Sequence, residues 1–414
     1  MNAPRLPLKS LDDALAELLA FARVLTGTES VSTFEADGRV LAQDVVSALH
    51  VPPQDNSSMD GYAVRCADVS QALKDPRPQG VLPVTQRIAA GSSGAPLAPM
   101  SVARIFTGAP IPAGADAVVM QEDCELVDGG VHIKVVPVPG QWIRRAGEDV
   151  TRGAVVLSKG ERLTPAALGL AASIGMNLLP VVRRPRVALF STGDELVMPG
   201  AVAPEQMRPG AIYNSHRFFL RALLLRLGCE VTDLGIVPDR LDATVQALQG
   251  AAQHHDLILT SGGVSVGEED HIKPAVQSLG SLDLWQIAIK PGKPFAYGRV
   301  QDAHFIGLPG NPVSSFVTFL LLVRPFLLKL QGVTDVATKS IAVPAHFTWA
   351  RADKRREFLR VRRNAAGGLD LFANQSSGVL TSAVWGDGVV DNPPGQTIAP
   401  GDVVRFIPFA EIMG

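Results

Sequence analysis

The chain is poor in several things that usually announce a function. Its 414 residues hold 3 cysteines, Cys66, Cys124 and Cys229, odd in number and far apart. That argues against a disulfide framework or a cysteine-based metal centre, and it fits a reducing, cytoplasmic compartment. Charge is nearly balanced, 38 Lys and Arg against 40 Asp and Glu for a formal net charge of -2. General attraction to nucleic acid or to a membrane surface is therefore not expected, although a local anion site is. The most apolar run, Phe316 to Leu330, is interrupted by Arg324 and Pro325. It falls short of the about 20 residues that span a bilayer and reads as a buried helix. No long apolar stretch follows Met1-Asn2-Ala3-Pro4-Arg5, so no signal peptide is expected. The Gly-x-Gly-x-x-Gly dinucleotide fingerprint, the Gly-x-x-x-x-Gly-Lys-Ser/Thr phosphate loop and the Gly-x-Ser-x-Gly elbow are all missing. His254-His255 has no second pair at zinc spacing, and no internal repeat or long low-complexity linker occurs.

What is present is 46% apolar residue content and length enough for two to four domains. Leu8, Leu11, Leu15, Leu18 and Leu19 recur at helical spacing behind Ser10, a good cap, with Asp12 and Asp13 in the first turn. A second helix is predicted from Thr164 to Ile174, with Pro165 at its first position and Gly175 at its exit. It is expected to rejoin the first, giving a discontinuous helical N-terminal domain over 1–49 and 151–180. The interruption, 50–150, has short apolar runs punctuated by Pro and Gly and reads as a β-rich insertion.

Residues 181–334 alternate short apolar runs with helical ones. Strands are predicted at Val187 to Phe190, Glu230 to Leu234, Asp256 to Thr260, Leu284 to Ile289 and Ala303 to Ile306. Helices are predicted near Ser215 to Leu227, Leu241 to Gln249, Ile272 to Leu279 and from Pro312 onward. This pattern gives an α/β fold, a central mostly parallel sheet with helices on both faces. A small C-terminal β domain closes the chain over 335–414.

Ligands of open α/β sheets bind beyond the carboxyl ends of the strands. Four such ends are rich in glycine and polar groups: Ser191-Thr192-Gly193-Asp194-Glu195, Ser261-Gly262-Gly263-Val264-Ser265, Lys290-Pro291-Gly292-Lys293 and Pro309-Gly310-Asn311-Pro312. Adjacent glycines let backbone amides face an anion, Ser261 and Ser265 add hydroxyls, and the helix after Asn311 offers free amides to a phosphate. Lys290 and Lys293 supply charge. Glu195, Asp239 and Asp270 are the leading acids, with Asp194, Glu268 and Glu269 behind them. Oxygen-only ligands suit Mg²⁺, and Glu195 with Asp270 is the expected metal pair. His216 and His271 flank these loops as lesser candidates.

Two further clusters stand out. Asp55 to Ala63, Arg104 to Pro110 and Arg144 to Asp149 are dense polar turns within the insertion. Residues 351–363 carry seven Lys or Arg, read either as a solvated hairpin or as an anion-guiding surface; they lack the aromatic interleaving of a nucleic-acid binder.

Seven strings together resemble the molybdopterin molybdenumtransferase family. They are Asp55-Asn56-Ser57-Ser58-Met59-Asp60-Gly61-Tyr62-Ala63-Val64, Thr107-Gly108-Ala109-Pro110, Gly147-Glu148-Asp149, Ser191 to Leu196, Ser261 to Gly267, Lys290 to Pro294 and Leu308 to Pro312. They run in family order over nearly the whole chain. The resemblance implies four domains in an elongated homodimer, with the active site between the α/β domain of one subunit and the insertion of the other. It implies that adenylylated molybdopterin and molybdate are bound with Mg²⁺, AMP leaves and molybdenum is inserted at the dithiolene. Contacts with upstream cofactor-synthesis enzymes and apo-molybdoenzymes belong to the same expectation. Carried over by motif, the acting residues are Asp60, Thr107, Asp149, Glu195, Asp239, Asp270, Lys290 and Lys293, with Arg355 and Ser377 in the tail. The family often has an acid where this chain has Asn214, so no ionic role transfers there. An ATP-using molybdopterin adenylyltransferase and a non-catalytic clustering scaffold for the same pterin are the alternatives.

Overall fold

The computed structural model describes residues 8–74, 81–263 and 271–413. Its central sheet has seven strands, in the order Leu8–Lys9, Gly280–Ile287, Pro294–Val300, Ala303–Leu308, Leu257–Ser261, Arg186–Thr192, Glu230–Val237. The last four run parallel, as do Leu8–Lys9 and Gly280–Ile287; Pro294–Val300 is antiparallel to both neighbours. The sheet is thus mixed at one side and parallel at the other. Pro294–Val300 is a strand that sequence pattern did not expose, because the Lys290-Pro291-Gly292-Lys293-Pro294 string reads as a turn and a proline opens the strand.

Side chains alternate across the strands and fill two cores. Val187, Leu189, Leu257, Leu259 and Ile306 face one side, packing with helices His216–Arg226 and Pro312–Leu330. Ala188, Phe190, Ile258 and Phe305 face the other, against Leu241–Ala252 and Ile272–Leu279. Continuous apolar runs in these strands follow from burial on both faces. Pro312–Leu330 has the length and hydropathy of a spanning helix, but 89% of it is buried within the protein, which makes it the central core helix.

The first helix, Leu11–Phe21, starts where expected: the Ser10 hydroxyl accepts from the Asp13 amide at 3.0 Å. Its place differs from expectation. Leu11, Ala14 and Leu18 pack into the sheet core rather than against the second helix, Pro165–Ser173. The second helix lies in a separate small core with Leu41, Val45, Leu157, Leu179 and Val181, beside the antiparallel pair Thr28–Ser32 and Leu178–Val182. An apolar stripe specifies that a helix is covered, not by what.

Within 50–150, a four-stranded sheet of Val84–Ile88, Val102–Ile105, Gly61–Val64 and Ala117–Met120 carries a core on each face. The C-terminal sheet corrects two expectations. Ile289–Lys290 leaves the central sheet, whose strand ends at Ile287, and pairs with Arg356–Glu357 instead. Arg356–Arg363 is no solvated hairpin. Its end does pair back with Leu369–Leu371, but Glu357 to Val361 are buried between Ile289–Lys290 and Gly388–Asn392. Arg360, 1% exposed, is accommodated because its guanidinium donates to the Phe358 and Ser376 carbonyls and the Ser382 hydroxyl.

Candidate functional site

The strand Arg186–Thr192 comes first of the parallel set in sequence, yet its neighbours are the second strand on one side and the third on the other. The chain reverses its winding there, and the loops diverge to leave a crevice above the carboxyl ends. Ser191 lies in register with Ser261, and their hydroxyls are 3.2 Å apart. Ser261 is in register with Leu308, whose carbonyl accepts from the Gly262 amide at 3.1 Å. Thr192 donates its hydroxyl to Asp239 Oδ1 at 3.2 Å. So the loops after four strands meet through side chains and backbone.

The glycines explain how closely they meet. Gly262 and Gly263 have φ of 86° and 66°, a region in which a Cβ is strained. A Cβ on Gly263 would stand 2.5 Å from Ile272 Cγ1, and one on Gly310 would be 4.0 Å from the Gly262 Cα. Without side chains these backbones approach one another closely at the crevice, and the Gly262 amide is used in doing so, donating to the Leu308 carbonyl. Glu195 is exposed and curls over Gly193. Asn214 is 1% exposed; its Oδ1 accepts from the Arg217 amide and its Nδ2 has no partner.

Pro309 is buried, while Gly310 and Asn311 are exposed at the start of the core helix. Asn311 makes no side-chain cap, but the helix end is only partly open, because the Val313 amide already donates to the Ser377 carbonyl at 2.9 Å. That bond brings Ser377 of the C-terminal domain to the crevice. Lys290 is not a free cation. Its Nζ lies 3.1 Å from Glu357 Oε1 and 3.4 Å from Asp353 Oδ2, and Arg355 Nη2 lies 2.9 Å from the same Asp353 oxygen. Arg355's hydrogen bonds, working against burial and helped by Lys290, hold the Asp353 carboxyl well below the usual range. Glu357 is 1% exposed and also accepts from Trp349 Nε1 at 2.7 Å. Lys293 is exposed, with no ion pair among the described residues. Asp353 and Glu357 are hidden from the sequence in a run read for its net charge.

Ser265 and Asp270 lie outside the described residues, as do Glu268 and Glu269. Of the expected metal pair only Glu195 is described, Asp239 is a further described oxygen donor, and no group of three or more His, Cys, Asp or Glu gathers among the described residues. Oxygen donors in that small number fit Mg²⁺, which takes one or two carboxylates and completes its shell with water and substrate phosphate. His216 packs edge-on against Phe219, and burial pushes its pKa down to about 4. His255 Nδ1 donates to the Ala251 carbonyl at the end of the helix Leu241–Ala252, 2.8 Å away.

The polar turns of the insertion also come together. Asp60 Oδ1 accepts from the amide and the hydroxyl of Thr107, both at 2.8 Å. Asp55 accepts from the Ala146 amide at 2.8 Å and from Arg145 at 2.6 Å, and the Asp149 amide donates to the Val51 carbonyl. Asp149 itself is exposed. Among the described residues no hydrogen bond or ion pair joins this cluster to the strand-end loops.

Comparison with known proteins covers nearly the whole chain. Residues 9–175 match the family model for the MoeA N-terminal region (domain I and II), 188–329 the model described as "Probable molybdopterin binding domain", and 342–409 that for the MoeA C-terminal region (domain IV). A molybdopterin molybdenumtransferase of Haemophilus influenzae is 40% identical, with 98% of this chain and 100% of that protein aligned. Molybdopterin molybdenumtransferase 2 of Mycobacterium tuberculosis is 38% identical over 92% of this chain and 93% of its own. A solved molybdopterin biosynthesis MoeA protein of Pyrococcus horikoshii superposes with a TM-score of 0.83 at 28% identity, covering 97% of this chain and 100% of the other.

Proposed function

The chain belongs to the molybdopterin molybdenumtransferase (MoeA) family and is a transferase of molybdenum cofactor biosynthesis, and from that premise we propose that it inserts molybdate into adenylylated molybdopterin with release of AMP. The observation that carries this reading is the convergence of Ser191–Glu195, Asp239, Ser261–Gly263 and Gly310–Asn311 at the winding reversal of one sheet.

The substrate carries a pyrophosphate. The Gly262 amide is committed to the Leu308 carbonyl, so the amides of Gly263 and Gly310, with the Ser191 and Ser261 hydroxyls, would hold its phosphates. The linkage between AMP and the pterin phosphate is cleaved, and negative charge builds on the departing AMP. Lys293 is the cation available to meet it. Lys290 and Arg355, which share Asp353, would receive a dianion such as molybdate by exchanging their carboxylate partners for it, with Ser377 as a further polar group. Glu195, Asp239 and Asp270 would hold Mg²⁺, which supplies charge neutralisation at the phosphoryl oxygens. The dithiolene chemistry is the cofactor's, and the protein's part is placement.

The insertion cluster of Asp60, Thr107 and Asp149 enters this scheme through a homodimer in which the partner subunit's insertion covers the crevice. Contacts with upstream synthesis enzymes and apo-molybdoenzymes would use the same assembly. A cytoplasmic setting accords with three unpaired cysteines, whose thiols burial pushes up to about 12.

The test is AMP release from adenylylated molybdopterin, followed with and without molybdate and over a magnesium titration. Release that requires both is expected. Release indifferent to molybdate would overturn the reading. ATP-dependent formation of the adenylylated pterin would favour the adenylyltransferase alternative, and binding without turnover would favour the scaffold.

A further inference from the structure

A second group of cations gathers away from the strand-end loops. Arg162, Arg184 and Arg226 line a cavity of about 590 Å³ where the carboxyl end of helix His216–Arg226 meets the N-terminal region and the closing helix Phe409–Ile412. Asp37 is the one acid among its described lining residues. Arg324 stands behind them, close enough for the Arg162 charge to help burial lower its pKa.

Arginines nearby in the sequence have carboxylate partners: Arg183 with Asp256 at 2.6 Å, Arg186 with Glu230 at 3.7 Å, Arg217 with Asp233 at 2.5 Å. The four cavity arginines have none within ion-pair distance among the described residues; Glu411 and Asp335 act on Arg324 only from further away. Their hydrogen bonds go to neutral carbonyls. Arg162 reaches Gly38 at 3.3 Å and Arg226 at 3.1 Å, Arg184 reaches Gly228 at 3.1 Å, and Arg324 reaches Glu411 at 3.4 Å. Nη1 of Arg324 is buried without any partner.

Capping the carbonyls of a helix end explains part of this arrangement. It leaves most of each guanidinium's five donors unused, and a helix end contributes only about half a negative charge against several positive ones. Arg226 is exposed and Arg162 and Arg184 are half-buried, so their spare donors are open to an anion that enters the cavity. Planar forks of this kind match the oxygens of a tetrahedral dianion.

We propose that this cavity is a binding site for a phosphate group, either the free ion or a phosphate monoester, held by the unused donors of Arg162, Arg184 and Arg226. It is separate from the crevice and stands whether or not the reaction proposed above is correct.

Equilibrium dialysis of the full chain against radiolabelled orthophosphate at low salt tests it. The double variant Lys290→Gln/Lys293→Gln removes the crevice cations and should still bind phosphate saturably. Placing Arg226→Gln in that background should weaken binding by about tenfold or more. Arg226 is the variant of choice because its guanidinium makes no hydrogen bond among the described residues. Arg184→Gln should act in the same direction, with Arg184→Lys recovering part of the affinity, and a thermal melt of each variant separates lost binding from lost folding. Displacement by AMP would assign the site to a monoester, and failure of AMP to displace would assign it to the free ion. No saturable binding in the lysine double variant, or binding untouched by Arg226→Gln in a folded protein, would overturn the proposal.

Discussion

The crevice of the central sheet and the polar end of the insertion are built from the same residue types and finished differently. In the insertion the acids are satisfied at home. Asp60 takes both donors of Thr107, and Asp55 takes Ala146 and Arg145. In the crevice, groups are left over: Glu195 and Lys293 are exposed, Asn311 caps nothing, and Asn214 buries an unpaired amide. Asn214 is the buried one of these, and a buried unpaired amide costs stability unless something else meets it. The contrast is what the proposed function asks for: a crevice with groups left over for a ligand, beside a surface whose acids are already paired.

The largest effect should come from closing the crevice. Gly263→Ala puts a side chain at φ 66° and 2.5 Å from Ile272 Cγ1, so the loop must move. Loss of AMP release by about 100-fold or more is expected, with destabilisation of roughly 1–3 kcal/mol visible in denaturant melts. Asp60→Ala comes next. It should lower AMP release by about 10- to 100-fold through a surface that touches no other part of its own crevice loops. Mixed dimers of Asp60→Ala and Glu195→Gln subunits sharpen the point. If two subunits share each site, mixing restores one intact site and recovers activity that neither parent has. Absence of recovery would break the idea that the two regions complete each other.

Local signals in the chain were legible where one residue decides the outcome. Ser10 and Thr164 cap their helices as their chemistry demands, and the glycines after Ser261 do take up positive φ. What could not be read were choices among partners. Leu11, Ala14 and Leu18 needed an apolar surface, but only the fold shows that the core helix supplies it. The charge of 351–363 suggested solvent, whereas three carbonyl and hydroxyl acceptors allow Arg360 to be buried. Lys290 looked like a free cation because Asp353 and Glu357 lie more than sixty residues away in sequence. The crevice loops, Thr192 with them, announced themselves by composition, while the pairing of Thr192 with Asp239 did not, since a single hydroxyl carries no pattern.

Acid should unfold the two regions in different ranges. Burial pushes His216 and His304 down to about 4, the latter with help from Arg299, so both are neutral in the folded sheet domain. Unfolded, they titrate near 6.5. The unfolded chain therefore binds more protons below that value, and stability present above about pH 6.5 is lost as pH falls toward 4. Roughly 1–3 kcal/mol per histidine is expected, read as the melting midpoint against pH. His216→Gln with His304→Gln should flatten that slope. The insertion responds later. Hydrogen bonds from Ala146 and Thr107 hold Asp55 and Asp60 below the ordinary carboxylate range, so their contribution persists until pH falls below about 4. Hydrogen exchange that loosens the insertion first on acidification would contradict this order.

The smallest effect separates two threonines. Thr192 supplies the only hydrogen bond found on the Asp239 carboxylate among the described residues, whereas Thr107 holds Asp60 by amide and hydroxyl together. Thr192→Val keeps the shape of a buried side chain and removes about 1 kcal/mol of orientation. Half-saturating Mg²⁺ for AMP release should rise by about threefold to tenfold at nearly constant kcat. Thr107→Val leaves the amide in place, and the same measurement should shift by less than about threefold. Equal responses would mean that Asp239 is positioned by something other than the Thr192 hydroxyl, and that the crevice is as fully set before its ligand arrives as the insertion is.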